Sequence, residues 1–222
     1  MVAAKEMITI ALPKGTLYQP SVKLLGLAGL NIEAIKDPGR QLVLYSEADA
    51  VRFIICRPTD IPTYVEYGAA DLGLVGKDTI VEQHKDVYEL LDLKYGGCRF
   101  MVAVPEGKEQ ELQQWNQTRV ATKFPHIAEE FFRRHGMQME IIKLHGNIEL
   151  APIVGLAEMI VDLVSTGRTM KENKLVPIAE VLSSTTRLIA NRVSHRLKSE
   201  RINPLVEKMR QIVEEGLMDG SN

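Results

Sequence analysis

Long apolar runs are absent: nothing in the 222-residue chain approaches 18 consecutive apolar residues, so no membrane-spanning helix is available. Cysteine is scarce. Cys56 and Cys98 lie far apart in apolar surroundings, which fits a reduced pair in the cytoplasm and not a disulfide framework. Basic excess is also lacking. Lys and Arg number 27 against 29 Asp and Glu, a net charge of −2, and no long basic run announces a nucleic-acid partner. The start of the chain lacks an export-signal layout, because Lys5 and Glu6 lead straight into a strand-like segment. The five histidines, at 84, 126, 135, 145 and 195, show no His-x-x-x-His spacing and no paired cysteines, so a structural zinc is not expected. Repeats, low-complexity tracts and Pro/Ser-rich linkers are missing, so composition marks no domain boundary.

What the chain does carry is alternation. With 45% hydrophobic residues it has the mass for one large core or two small ones. Short β-branched runs alternate with amphipathic segments, the pattern of βα units and a largely parallel sheet. Residues 8–12 predict a first strand, broken at Pro13-Lys14-Gly15 and followed by a helix over 16–29. Strands are expected at 42–45 and 52–56. Asp60 then reads as the N-cap of a helix with Pro62 in its first turn and Gly68 as its stop. Residues 71–75 read as a buried strand ending at Gly76-Lys77-Asp78, before another helix. A second set starts at Gly96-Gly97-Cys98-Arg99, with strands over 100–104, 119–122, 139–143 and 159–164 and helices over 106–115 and 125–135. Strands over 176–182 and 187–191 precede a closing helix in which Leu205, Met209, Ile212 and Val213 share a face.

The sharpest local feature is Asp162-Leu163-Val164-Ser165-Thr166-Gly167-Arg168-Thr169. A buried strand delivers an acid, and a turn of small hydroxylated residues with one glycine follows. Small residues let backbone N–H groups converge on an anion, and the hydroxyls of Ser165, Thr166 and Thr169 add donors. Such a cup suits a phosphate monoester, with Asp162 placed for the 2- and 3-hydroxyls of an attached ribose. A plain strand–turn–helix junction capped by Ser and Thr is the competing reading. A Walker loop is excluded, because Gly-x-x-x-x-Gly-Lys-Ser/Thr does not occur.

With its flanks, this segment resembles the phosphoribosyl pyrophosphate loop of the ATP phosphoribosyltransferases, which open histidine biosynthesis. Other stretches resemble the family in the same order: Leu12-Pro13-Lys14-Gly15, Asp60-Ile61-Pro62 and Asp71-Leu72-Gly73-Leu74-Val75-Gly76. Leu91-Asp92-Leu93 with Gly97-Cys98-Arg99, and Ala121-Thr122-Lys123 with Pro125-His126, come next. Gly146-Asn147-Ile148-Glu149-Leu150-Ala151-Pro152 and Gly155-Leu156-Ala157 then lead into the loop. The likeness spans residues 8–215.

The resemblance implies a two-lobed α/β fold like that of the type II periplasmic binding proteins, with the active site in the cleft. Residues 1–95 with 180–222 would form one lobe, and residues 96–179 the other. It implies attack of N1 of the ATP adenine on C1 of 5-phosphoribosyl 1-pyrophosphate, assisted by Mg²⁺ carried on the substrates, with no dedicated protein metal site. Arg57, Arg40 and Lys14 would meet the departing pyrophosphate, and Lys14, Gly15 and Arg99 would touch ATP. Asp162, Ser165, Thr166, Gly167, Arg168, Thr169 and Glu149 would hold the donor, with Glu149 and Asp162 suited to ribose hydroxyls or magnesium. Glu158 departs from the family's usual Asp, so it is not carried over as a contact.

Because the chain stops after its closing helix, it resembles the short form of the family. That form pairs with a regulatory subunit like histidyl-tRNA synthetase, in a hetero-oligomer expected to be a hetero-octamer around a catalytic homodimer. Tyr64 and Tyr67 read as packing residues and Cys98 as buried and inert. Three alternatives remain: a two-lobed solute-binding protein, a nucleobase phosphoribosyltransferase, and a non-catalytic subunit. The first should carry an export signal, and the second usually shows two adjacent acids where Asp162 follows Val161. The third is disfavoured by the intact loop.

Overall fold

Six successive buried residues, Ile8–Pro13, form β1, and burial on both faces is what a strand inside a covered sheet requires. The computed structural model describes residues 6–164 and 168–218. The chain divides into two compact units, Met1–Gly96 with Thr185–Asn222, and Gly97–Ser184. In the first unit β1 is followed by α1 (Tyr18–Leu27), α2 (Glu33–Lys36), β2 (Val43–Ser46), β3 (Val51–Cys56) and α3 (Ile61–Glu66). β4 (Leu72–Gly76), α4 (Lys77–Gln83) and β5 (Tyr88–Asp92) come next. The second unit contains β6 (Cys98–Pro105), β7 (Arg119–Thr122), α5 (Pro125–Arg134), β8 (Glu140–Lys143), α6 (Leu150–Ile153), β9 (Met159–Val164), α7 (Arg168–Glu172) and β10 (Leu175–Ser184). The chain re-enters the first unit with β11 (Thr186–Ala190), α8 (Arg192–Leu197) and α9 (Ser199–Glu214).

Each unit has its own sheet, ordered β2-β3-β1-β4-β11-β5 in the first and β10-β6-β9-β7-β8 in the second. Neither is largely parallel, which corrects the sequence expectation. β1 runs parallel to β3 and β4, and β7 to β8 and β9. The β2–β3, β4–β11, β5–β11, β6–β9 and β6–β10 pairs are antiparallel. Strand direction follows the connections. β2 and β3 are joined by the short turn 47–50, which can only close an antiparallel pair, whereas β1 reaches its parallel neighbours through helical crossovers.

The first sheet buries Ile8, Ile10 and Leu12 against Leu24 and Leu25 of α1 and Ile202 and Met209 of α9. Its other face sets Ala11 and Val75 against Ile61 and Val65 of α3. That close approach needs Gly73, where a Cβ would lie 2.6 Å from Ile61 Cγ2 and 2.9 Å from Val65 Cγ2. α9 buries Leu205, Met209 and Ile212, with Val213 partly covered, the face its periodicity predicts. A charge pair ties this helix end to the sheet. Asp71 is 4% exposed, and its carboxylate accepts from the Thr9 N–H at 2.7 Å and from Lys198 Nζ at 3.1 Å.

Three local expectations fail. The helix expected over 106–115 is a loop with a 3-10 turn at Leu112–Trp115; Gly107 sits at φ 82° and Trp115 alone is buried, so the run has no apolar face to dock. Asp60 makes no side-chain cap to α3; a 3-10 turn, Pro58–Asp60, leads into the helix instead. Tyr64 and Tyr67 do not pack inside: they are 39% and 78% exposed, and Lys85 Nζ lies 5.8 Å from the Tyr67 ring centre. Among the described residues, no helix is long and apolar enough to cross a membrane.

Candidate active site

In the first unit, the C-terminal ends of the parallel strands β1 and β3 lie side by side, with Pro13 opposite Cys56. This is the edge at which open α/β sheets bind ligands. The chain leaves β1 through Lys14, whose N–H donates to the Cys56 carbonyl at 2.8 Å, and turns at Gly15 with φ 91°. A cavity of about 600 Å³ opens here, lined by Lys14, Gly15, Tyr18, Arg40, Leu42 and Ile55 among others. Its apolar floor and two cations suit an amphipathic anion. Arg57 follows β3 directly, although it does not line that cavity. Lys14, Arg40 and Arg57 are all exposed, and none forms an ion pair with a described residue. Beneath them Cys56 is a free, buried thiol pushed up to about 11 by burial, with Asp60 adding to the rise and Lys14 opposing it. That keeps it protonated and unreactive.

In the second unit the same strand-end logic places Asp162. β7 and β9 are parallel with Thr122 opposite Val161, so residues 123 and 162 occupy the next step. The Asp162 carboxylate accepts from the Leu163 N–H at 2.8 Å. Burial raises its pKa above the ordinary carboxylate value; the nearby Glu149 charge adds to the rise, while the Leu163 N–H and Lys123 oppose it. Glu149 stands at the start of α6, half-buried, close enough for its charge to act on Asp162. Ser165, Thr166 and Gly167 lie outside the described residues. Beyond them Arg168 and Thr169 open α7 on the surface, where Arg168 Nε pairs with Glu172 at 3.2 Å and the Thr169 carbonyl accepts from the Asn173 amide at 2.9 Å.

Other residues have plainer surroundings. Arg99, on β6, lies 3.8 Å from Glu180 in an exposed pair. Cys98 is half-buried, not buried as expected. Glu158, set aside in the sequence, faces Arg119: its carboxylate accepts from the Arg119 N–H at 2.8 Å and from the guanidinium. Lys123 is a site-edge residue that sequence reasoning passes over. Its segment carries the family likeness, but only the β7–β9 register reveals Asp162 as its neighbour.

Asp162 with Glu149, and the cations at the strand edge of the first unit, can be compared with known proteins. A family model described as HisG, ATP phosphoribosyltransferase, matches residues 57–211. The ATP phosphoribosyltransferase of Syntrophomonas wolfei subsp. wolfei is 59% identical over 208 residues, covering 93% of this chain and 96% of that protein. Among solved structures, the ATP phosphoribosyl transferase (HisG:HisZ) complex from Thermotoga maritima matches with a TM-score of 0.79 at 32% identity, over 95% of this chain and 99% of that one. The substrate binding protein of an amino acid ABC transporter matches at 12% identity and a TM-score of 0.61 over 96% of each chain, a likeness of fold alone. The architecture is thus the two-lobed α/β fold of type II periplasmic binding proteins, and the chain belongs to the ATP phosphoribosyltransferase family.

Proposed function

We propose that this chain catalyses attack of N1 of the ATP adenine on C1 of 5-phosphoribosyl 1-pyrophosphate, the first step of histidine biosynthesis. The N1 lone pair forms the new C–N bond, and the electrons of the breaking C–O bond leave with pyrophosphate, giving 1-(5-phosphoribosyl)-ATP. The observation that carries this reading is family membership along nearly the whole chain, joined to the charge of Glu149 acting on Asp162 of β9. As the C–O bond opens, the sugar gains oxocarbenium character and the pyrophosphate gains charge. Fixed cations that meet that charge lower the barrier. Lys14, Arg40 and Arg57 take this role, since no protein carboxylate competes for them among the described residues. Asp162 and Glu149 accept from the ribose hydroxyls. Residues 165–169 receive the 5-phosphate, and Lys14, Gly15 and Arg99 face ATP.

No enzyme nucleophile is required. Mg²⁺ arrives on the substrates' phosphates, whose hard oxygens it prefers. The functional unit is a catalytic homodimer assembled in the cytoplasm with a histidyl-tRNA-synthetase-like regulatory subunit, in the short-form hetero-octamer. A HisG:HisZ complex among its structural matches supports a hetero-oligomer with a second kind of subunit.

Purified chain with ATP, phosphoribosyl pyrophosphate and Mg²⁺, with the regulatory subunit supplied, should form phosphoribosyl-ATP; no product sinks the proposal. Histidine should inhibit the assembled complex far more than the chain alone, and equal inhibition of both refutes the short-form assignment.

A further inference from the structure

Lys123 stands at the end of β7 on a backbone that is fixed on both sides. Before it, Thr122 is fully buried, and its hydroxyl donates to the Val161 carbonyl on β9 at 2.7 Å. The same oxygen accepts from the Phe124 N–H at 3.0 Å, so one side chain bridges the strand ends and turns the chain sharply at residue 123. After it, the Phe124 ring stands edge-on to Phe100, 4.7 Å between centres, anchoring the exit of the turn to β6. Lys123 itself is exposed, yet it forms no ion pair with a described residue. A lysine on so constrained a backbone, one register step from a half-buried acid, is poorly explained as a solvated surface residue.

We propose that Lys123 is a positioning residue for the donor's ribose, its ammonium balancing Asp162 and Glu149 so that two carboxylates can sit together and share one vicinal diol. Two acids within mutual range repel, and one of them gives way by protonation or by swinging out unless a cation offsets the pair. Here the neighbours that act on Asp162 are Glu149, which opposes its ionisation, and Lys123, which favours it. Lys123 touches neither the reacting carbon nor the leaving group in this account; it acts through the acids. The inference rests on the reading of Asp162 and Glu149 as the ribose-binding pair.

Isothermal calorimetry on the full chain tests it, with ribose 5-phosphate, phosphoribosyl pyrophosphate and ATP as separate probes. Lys123→Met should weaken ribose 5-phosphate and phosphoribosyl pyrophosphate alike, by tenfold or more, and leave ATP binding and the melting temperature unchanged. Lys123→Arg should bind both within about threefold of the native chain, since the charge is kept. In Asp162→Asn the lysine has less to offset, so adding Lys123→Met there should cost less than it does in the native chain. Donor binding within twofold in Lys123→Met overturns the proposal. So does a loss restricted to phosphoribosyl pyrophosphate, which would put the ammonium on the leaving group. Failure of the native chain to bind phosphoribosyl pyrophosphate at all would instead strike the proposed function itself.

Discussion

Replacing Lys198 by Met strands a charge that cannot reach water. Asp71 is 4% exposed and holds two donors, the Thr9 N–H at 2.7 Å and Lys198 Nζ at 3.1 Å. The lysine is 20% exposed along its side chain and also donates to the Met7 carbonyl at 2.9 Å. Removing one member of a buried pair costs about 3–5 kcal/mol, because the survivor keeps its desolvation penalty and loses its partner. The partial exposure of Lys198 places the expected loss near the bottom of that range, about 3 kcal/mol. At about 1.4 kcal/mol per factor of ten, that raises the unfolded fraction roughly a hundredfold. Urea unfolding at neutral pH, followed by far-ultraviolet circular dichroism, reads this as a lower midpoint with unchanged slope. The double variant Asp71→Asn, Lys198→Met should be the milder one. Its amide oxygen still accepts the Thr9 N–H, but no buried charge is left over. A loss below about 1 kcal/mol in Lys198→Met, or a double variant no more stable than the single, refutes the reasoning.

Arg57→Ala should lower turnover about tenfold or more, with donor affinity within about threefold and no change in melting temperature, because its charge serves the transition state. An unchanged turnover number removes it from the catalytic set. The Glu158 carboxyl is held below its ordinary range by the hydrogen bonds of Arg119, against the opposing pull of burial. A depressed folded-state pKa means the pair stabilises above the unfolded carboxylate value, about 4.3, and that this contribution is lost as pH falls through the lower folded value. The melting temperature of the native chain should therefore drop more steeply than that of Glu158→Gln on acidification below about pH 5; parallel curves would show that the pair contributes nothing.

Much of this fold is readable from residue order, for reasons that differ by element. β9 is readable at Met159–Val164 because a continuous apolar run cut by a single Asp has few other uses in a short segment. α5 buries Ile127, Ala128, Phe131 and Phe132 at helical spacing, within the helix expected over 125–135. β5 is not readable in this way. Tyr88–Asp92 carries two acids in five residues, and its pairing is secured by Arg187 of β11, whose guanidinium reaches Glu89 at 3.2 Å from far along the chain. Strand direction was likewise out of reach, because it depends on which elements intervene between paired strands. At the candidate site, Asp162 stands out in the sequence as local chemistry, and Lys14 and Arg40 through likeness to the family. The neighbourhood of Lys123 does not, because it stands 39 positions before Asp162 in the chain and only the β7–β9 ladder brings the two segments together.

The position of β11 has a consequence for how the molecule is made. Among the described residues β5 has no ladder neighbour except β11, and β11 is synthesised only after the whole of the second unit. On the ribosome the first sheet therefore waits half-built, with β4 and β5 exposing unpaired edges while about ninety more residues emerge. The second unit, encoded without interruption, has all its strands in hand sooner. What starts first is finished last, and a stall between Gly97 and Ser184 would leave a sticky, open-edged nascent chain.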